Sequence, residues 1–374
     1  MVQKKIRVGL VFGGRSGEHE VSLASAQAVM ANLDSNKYEV VPIGITKTGS
    51  WLLDIEPARL HAEEQHTQQE TDTLSEQTRA VTLTGDPTVR RLIPIQGGPL
   101  AENGAIDIIF PVLHGTYGED GALQGLLEMA DIPYVGCGVL GSALGMDKEK
   151  MKMVFQAVGL PVGPYLVYRR KQWEATPETI MDAVEEQLGY PNFVKPVNLG
   201  SSVGISKAHD RTELAHALNV AAEYDSKIII ERGINCREFE CAVLGNNEPM
   251  ASVVGEIIPS NEFYDYSAKY ISNQSQIVIP ATIPQAIADQ IRRQSLQAFL
   301  ALDLSGLARV DFFLERETDK VYINEVNTLP GFTQISMYPK LWEASGMPYH
   351  VLLDNLIELA RERHADRQRN RTNR

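Results

Sequence analysis

Two short runs near the end of the chain carry the residue types best suited to chemistry. In LARVDFFL, Arg309 and Asp311 fall on one face of an extended strand, while Val310 and Phe312 fall on the other. In VYINEVN, Glu325 and Asn327 share a face by the same alternation. The intervening ERETDK suits a hairpin loop, which would set the two polar faces side by side. Asp311, Glu325 and Asn327 would then gather in an otherwise apolar sheet. Unpartnered carboxylates are costly there, and a hard divalent cation removes that cost. An all-oxygen donor set selects Mg²⁺ or Mn²⁺ over zinc. The plain alternative is a solvated hairpin with ordinary polar alternation; the glycine turn NTLPGFT that follows favours a site.

A cation site of that kind needs an anion, and phosphate-binding parts are present. KPVNLGSSVG sets Lys195 at a strand end, followed by Gly200, Ser201, Ser202 and Gly204. Such a loop exposes backbone N–H groups that can wrap a polyphosphate, although it lacks the Walker pattern and by itself could be an ordinary turn. Lys148 sits in the first turn of a helix, where the dipole disfavours a cation, so it either faces an anion or is a surface lysine offset by Glu149. Glu231 and Glu238 are expected on neighbouring strands, where carboxylates can accept from an adenine amino group or ribose hydroxyls; a solvated face is the plainer reading of these two. Two further loops, GGRSGEHEVS and HGTYGEDG, each follow a strand of the parallel kind, and ligands of open α/β sheets bind beyond such strand ends. Glu18 could hold an ammonium there and His114 a carboxylate. GGRSGE does not have the GxGxxG form, which disfavours a dinucleotide-dependent dehydrogenase.

These residues must be positioned by α/β elements. Ile6 to Phe12 is a short apolar run of the buried parallel type, followed by a glycine turn and a small-residue helix through Leu33. Strands are expected at 38–45 and 106–113, with 61–104 between them as a surface excursion rich in polar residues. Asp147 is a plausible N-cap for a helix whose stripe is Met151, Val154, Phe155 and Val158, stopped by Gly159 and Pro161. Strands are then expected at 192–196, 205–207, 227–232, 237–244, 308–314 and 321–326, with a helix from 349 to 361 closing the chain.

The 374 residues exceed one compact core, and a net charge of −13 argues against a general nucleic-acid or membrane-surface partner. The basic stretch from Arg361 reads as a frayed helix end rather than a nucleic-acid arm. Cys137, Cys236 and Cys241 have neither metal spacing nor an even count, which suits reduced thiols in a cytoplasm.

Taken in order, GGRSGEHEVS, HGTYGEDG, MDKEKMK, VKPVNLGSSVGISK, YDYSAKY, ARVDFF and INEVNTLPGFTQISMYP resemble the motifs of the D-alanine–D-alanine ligases of the ATP-grasp superfamily, over nearly the whole chain. The resemblance implies an α/β ATP-grasp fold with a parallel-sheet N-terminal substrate domain (1–136), a central subdomain (137–230) and a catalytic domain (231–374) with a lid at 259–282. ATP would lie between the last two. Lys148 and Lys195 would then meet the α- and β-phosphates, with Ser202 in the same loop and Lys269 on the γ-phosphate. Glu231, Arg232 and Glu238 would serve the adenine and ribose. Asp311, Glu325 and Asn327 would hold two Mg²⁺ or Mn²⁺ ions, Glu325 bridging. Glu18 would take the ammonium of the first D-alanine and His114 would lie near its carboxylate, with Ser201 and Tyr270 joining Glu18 in a hydrogen-bonded triad. Ser336 and the backbone of Met337 would bind the second carboxylate, and Arg309 with the Gly331 N–H would stabilise the oxyanion. The implied reaction forms a D-alanyl phosphate and then a dipeptide for peptidoglycan precursors, with a homodimer as the expected assembly. Tyr270 favours the dipeptide over an ester with D-lactate; D-lactate or D-serine as second substrate, or a nucleotide sensor without catalysis, are the competing readings. Two departures are visible: Arg232 stands where many relatives carry lysine, and INCREFE replaces a more usual glycine–arginine form.

Overall fold

The computed structural model describes residues 4–66, 79–95, 105–200, 203–259 and 276–371. Its strands form three sheets. The first begins with β1 (Ile6–Gly13), whose apolar stretch from Val8 to Phe12 is buried on both faces because helices cover both. β2 (Tyr38–Ile45) and β6 (Ile108–Pro111) flank it in parallel. β3 (Trp51–Leu53), β4 (Arg79–Thr82) and β5 (Ile93–Pro94) extend the sheet antiparallel beyond β2. The expected surface excursion is thus corrected in part: residues 79–94 add two strands, the outer one at the sheet edge, and Val81, Leu83 and Leu92 enter the core. Its polarity reflects an edge position, where one strand flank faces solvent.

Helices α1 (His19–Asn32) and α2 (Pro57–His66) belong to this unit, as does α3 (Ala122–Met129). α4 (Val139–Met146) and α5 (Lys148–Ala157) follow. Asp147 caps α5 as expected, its side chain accepting from the Lys150 N–H at 3.0 Å. Of the expected stripe, Met151 and Phe155 are fully buried, Val154 is partly buried and Val158 is exposed, because the helix ends at Ala157 and Gly159 turns the chain at φ +79°.

The second sheet is antiparallel, in the order β7 (Tyr165–Arg169), β10 (Lys227–Arg232), β8 (Asn192–Pro196) and β9 (Ser206–Ala208). Helices α6 (Arg170–Ala175), α7 (Pro177–Gln187) and α8 (Arg211–Tyr224) accompany it, the last two burying Val184, Leu214 and Leu218 against Val194 and Ile228. The third sheet runs β13 (Gln276–Val278), β12 (Met250–Ile258), β11 (Cys236–Gly245), β14 (Gly306–Glu315), β15 (Val321–Asn327), all antiparallel. One of its faces packs on α5 and on α9 (Gln285–Ala301), joining Met151 and Phe155 to Phe299, Val310, Phe312 and Ile323. α5 packs its apolar stripe on the third sheet and meets the second through the ion pairs of Asp147 and Glu149 with Lys227. Of the expected lid, 276–278 forms the edge strand β13, and 260–275 lies outside the described residues.

Helices α10 (Met337–Ala344) and α11 (Tyr349–Arg367) bring the chain end back to the first sheet, sharing one apolar cluster with Val8, Leu10, Phe12 and Phe110. The basic end of α11 is docked through Arg363, although residues 365–371 are exposed. Arg363 donates to the Gly136 and Tyr134 carbonyls and to Ser305, and its guanidinium lies 4.2 Å from the centroid of the Tyr134 ring.

Candidate active site

The five-stranded sheet turns its second face to a cleft of about 620 Å³, closed on the far side by the four-stranded sheet and α5. Strand alternation decides which side chains enter it. Ala308, Val310 and Phe312 go to the core, so Arg309 and Asp311 point the other way. Asp311 stands opposite Glu325 and Arg309 opposite Asn327 in the β14–β15 ladder. The sequence expectation of one shared polar face therefore holds. The Arg309 guanidinium clasps Asp311 in a fork, Nε to Oδ1 at 2.8 Å and NH2 to Oδ2 at 2.8 Å, and its Nε also lies 3.1 Å from Glu240 Oε2. Asn327 Oδ1 accepts from the Leu329 N–H at 3.1 Å, which opens the glycine turn.

Facing this row are two buried lysines, Lys148 and Lys152, and the partly buried Lys195. Lys148 Nζ donates to the Leu199 carbonyl at 2.6 Å and lies 3.9 Å from Glu325 Oε2. It is not a surface lysine, and Glu149 is instead bound to Lys227 at 2.7 Å. Lys195 and Lys152 grip the two oxygens of Glu231 at 2.5 and 2.8 Å. Lys152 also donates to the Asn324 carbonyl at 3.0 Å, beside the irregularity that separates Asp311 from Phe312 in the ladder. Burial pulls the Lys148 ammonium below its ordinary pKa, Glu325 opposing and Lys195 adding to the shift. Burial acts the same way on Lys195, but Glu231 and Glu325 outweigh it and raise the pKa. Burial works against charge on Glu231 too, yet the two lysines hold its carboxyl far below the ordinary range. A concentration of cations in a low-dielectric cleft is suited to a polyphosphate.

The Glu231 carboxylate is therefore committed to lysines, which leaves its backbone rather than its side chain for a base. β10 and β11 also belong to different sheets, so Glu231 and Glu238 are neighbours in the chain and meet only as walls of one cleft. Arg232 lines the same wall with its side chain exposed. Ser201, Ser202, Lys269 and Tyr270 lie outside the described residues.

The N-terminal loops converge on the same region. Gly13 takes φ +88°, and a Cβ there would come within 2.2 Å of the Ile45 carbonyl, so only glycine allows the turn out of β1. Glu18 follows at the start of α1, buried, with its carboxylate not spent on capping the helix. A Cβ at Gly115 would lie 3.0 Å from Glu18 Oε2 and one at Gly200 3.1 Å, so both glycine loops close around that carboxylate. His114 lies within its field, but burial dominates and pulls the imidazole pKa down. Both ring nitrogens have protein partners, Nδ1 facing the Leu329 carbonyl at 3.0 Å and Nε2 facing Ser25 Oγ at 3.2 Å. His114 thus ties the loop after β6 to the turn after β15. On the other side of that turn, a Cβ at Gly331 would strike Ser336 Oγ at 2.8 Å. Ser336 precedes α10, so the Met337 N–H is in the first turn of a helix, a position that favours a carboxylate.

Three buried residues escaped the sequence reading. Lys152 sits one turn after Lys148, and that spacing was the available signal. Glu240 follows Glu238 by two residues on one strand face. Glu119, inside HGTYGEDG, accepts from the Gly115 N–H at 2.6 Å, and burial together with the nearby Glu18 charge pushes its carboxyl up to about 8.

Comparison with known proteins bears on this site. The family described as D-ala D-ala ligase N-terminus matches residues 7–137, and that described as D-ala D-ala ligase C-terminus matches 154–358. A D-alanine--D-alanine ligase of Ruminiclostridium cellulolyticum is 52% identical over 99% of both chains, and one of Acetivibrio thermocellus is 51% identical over 97% of both. Among solved structures, the D-alanine-D-alanine ligase from Coxiella burnetii superposes with a TM-score of 0.82 at 37% identity, covering 97% of this chain and 96% of that one. The VanG D-Ala:D-Ser ligase from Enterococcus faecalis gives the same TM-score and identity over 96% of this chain and 100% of its own.

Proposed function

The chain belongs to the D-alanine–D-alanine ligase family, and from that membership we infer that it joins two D-alanines into D-alanyl-D-alanine, with ATP converted to ADP, for peptidoglycan precursor synthesis. The observation that carries the reading is the row of Asp311, Glu325 and Asn327 facing Lys148, Lys152 and Lys195 across one cleft. Among the described residues no three His, Cys, Asp or Glu side chains form a metal cluster, so an ion here would be held by two carboxylates and the Asn327 amide. That hard-oxygen set suits Mg²⁺ or Mn²⁺, which keep some positions for phosphate oxygens. When bound, the two ions would offset the charge spread over the transferring phosphoryl group.

The chain's own groups would do the remainder. Lys148 and Lys195 hold the nucleotide's α- and β-phosphates, with Lys269 reaching the γ-phosphate and Ser202 donating from the glycine loop. Glu231, Arg232 and Glu238 form the base and ribose wall. Glu18 holds the ammonium of the first D-alanine so that its carboxylate attacks the γ-phosphorus in line, giving D-alanyl phosphate and ADP. Ser201 and Tyr270 would brace Glu18, and His114 would lie near the carboxylate of that first D-alanine. Ser336 and the Met337 N–H hold the second carboxylate, and that D-alanine's deprotonated amine attacks the acyl carbon and expels phosphate. Arg309 and the Gly331 N–H face the oxygen that becomes negative. We place this activity in the cytoplasm, where ATP and the three free thiols are compatible, and in a homodimer measurable by sedimentation. No helix among the described residues is long and apolar enough to cross a membrane.

The test supplies ATP and Mg²⁺ with mixed D-alanine, D-serine, D-lactate and L-alanine and identifies products by mass spectrometry. D-Alanyl-D-alanine should dominate at neutral pH. A predominant D-alanyl-D-serine or D-alanyl-D-lactate product would replace the acceptor assignment. Glu325→Ala should abolish turnover while the protein remains folded; near-normal turnover would refute the metal row.

A further inference from the structure

We propose that Glu240 is a positioning residue that orients the Arg309 guanidinium during the reaction, an inference that rests on the ligase reading above. Glu240 is buried on the cleft face of β11. In register it stands opposite Asp311, which stands opposite Glu325, so three carboxylates form one row across three adjacent strands. Like charges directly opposite one another destabilise a sheet, and burial deepens that penalty. The row persists because a cation is built into it. Arg309 Nε lies between Glu240 Oε2 at 3.1 Å and Asp311 Oδ1 at 2.8 Å.

The two carboxylates do not have equal freedom to stay there. Asp311 is one of the residues that would hold a divalent ion, and a carboxylate that shares its charge with a metal holds an arginine less strongly than one that does not. The incoming ions also repel the guanidinium. Glu240 lies on the side of Arg309 away from Glu325, across the sheet, and so retains its place next to Nε. A carboxylate fixed there leaves the terminal amino groups of the fork to face the phosphoryl group and the developing oxyanion. A guanidinium carries five donors in a rigid plane, so fixing one edge fixes the aim of the others.

Glu240→Gln, Glu240→Asp and Arg309→Lys are prepared singly, and Glu240→Gln is also combined with Arg309→Lys. In Glu240→Gln, kcat should fall about 10- to 100-fold, the range seen when a residue that orients a site group is removed. KM for ATP and D-alanine and the Mn²⁺ requirement should stay within about threefold, and Glu240→Asp should recover part of the loss. In the Arg309→Lys background Glu240→Gln should add less than about twofold, because the group it orients is gone. A readout independent of turnover is the Arg309 Nε–H proton resonance, identified by its disappearance in Arg309→Lys. With Mg²⁺ and ADP bound, it should exchange with water faster in Glu240→Gln than in the unaltered protein. Unchanged kcat, additive losses, unchanged proton exchange, or a weakened Mn²⁺ requirement at full kcat would each overturn the proposal. Absence of D-alanine-dependent ADP release by the unaltered protein would instead defeat the ligase reading. An active parent with Arg309→Lys impaired and Glu240→Gln intact defeats this inference alone.

Discussion

Individual side chains in this molecule act through what holds them. His19, the first residue of α1, is buried and lies 2.9 Å from the Gly14 carbonyl through Nδ1 and 3.0 Å from Glu64 through Nε2. Burial works against its charge, but the Glu64 hydrogen bond and the Gly14 carbonyl outweigh it, so its pKa is raised above the ordinary 6.5. Burial likewise opposes charge on Glu64, and the His19 hydrogen bond with the Lys47 N–H lowers its carboxyl below the ordinary 4.5. The raised histidine stabilises fully below its unfolded value and loses that contribution as pH rises through its folded value. The lowered carboxyl stabilises above its unfolded value and loses its contribution as pH falls through its folded one. The pair is therefore strongest between about 4.5 and 6.5. His19→Gln should lower the melting temperature most near pH 5.5 and progressively less towards pH 9. A constant gap across that range would show the pair to be uncharged.

At the scale of elements, α5 is the piece that joins the two sheets around the cleft. Its apolar stripe packs on the third sheet through Met151 and Phe155, while Lys152 reaches Glu231 of the second sheet and the Asn324 carbonyl of β15. Glu231 is buried and acidic far below its ordinary range, so removing one of its two cations leaves charge without full compensation. Lys152→Met should destabilise by about 3 kcal/mol, near the lower bound for breaking a buried ion pair. Adding Glu231→Gln should restore part of that loss in denaturant unfolding. A double variant no more stable than Lys152→Met would mean that helix packing, not the charge network, holds α5 in place.

At the scale of the whole molecule, the cleft belongs to neither sheet alone. Phe193, Lys195 and Lys207 come from the four-stranded sheet, and Glu238, Arg309 and Asp311 from the five-stranded one. A ligand filling it must stabilise both. A non-hydrolysable ATP analogue with Mg²⁺ at about 100 times its Kd should add about 2.7 kcal/mol to the folded state. Hydrogen exchange should slow together in β8, β10, β14 and β15. Protection confined to one sheet would place the nucleotide elsewhere. The end of the chain works at the same scale, since Arg363 and the apolar side of α11 bind the last helix to the first sheet.

The sequence alone determined what depends on local alternation and chain order. Strand period two placed Arg309 and Asp311 on one face and Val310 and Phe312 on the other, and the continuous apolar run at 6–12 marked a buried parallel strand. Asp147, Gly159 and Pro161 bounded a helix through capping and backbone chemistry that needs no partner. Seven motifs in order were enough to reveal the family. Only the tertiary structure decided how distant segments share charge. Nothing local to Glu231 shows that two lysines consume its carboxylate. Local sequence around His114 likewise cannot show that both its nitrogens are held by a serine on α1 and a carbonyl after β15. The docking of α11 was missed for a related reason: Arg363 read as part of a solvated tail until Gly136, Tyr134 and Ser305 were brought beneath it. Long-range burial sets which charges are paired and which remain for a ligand, and burial is a property of the packed molecule rather than of any stretch of chain.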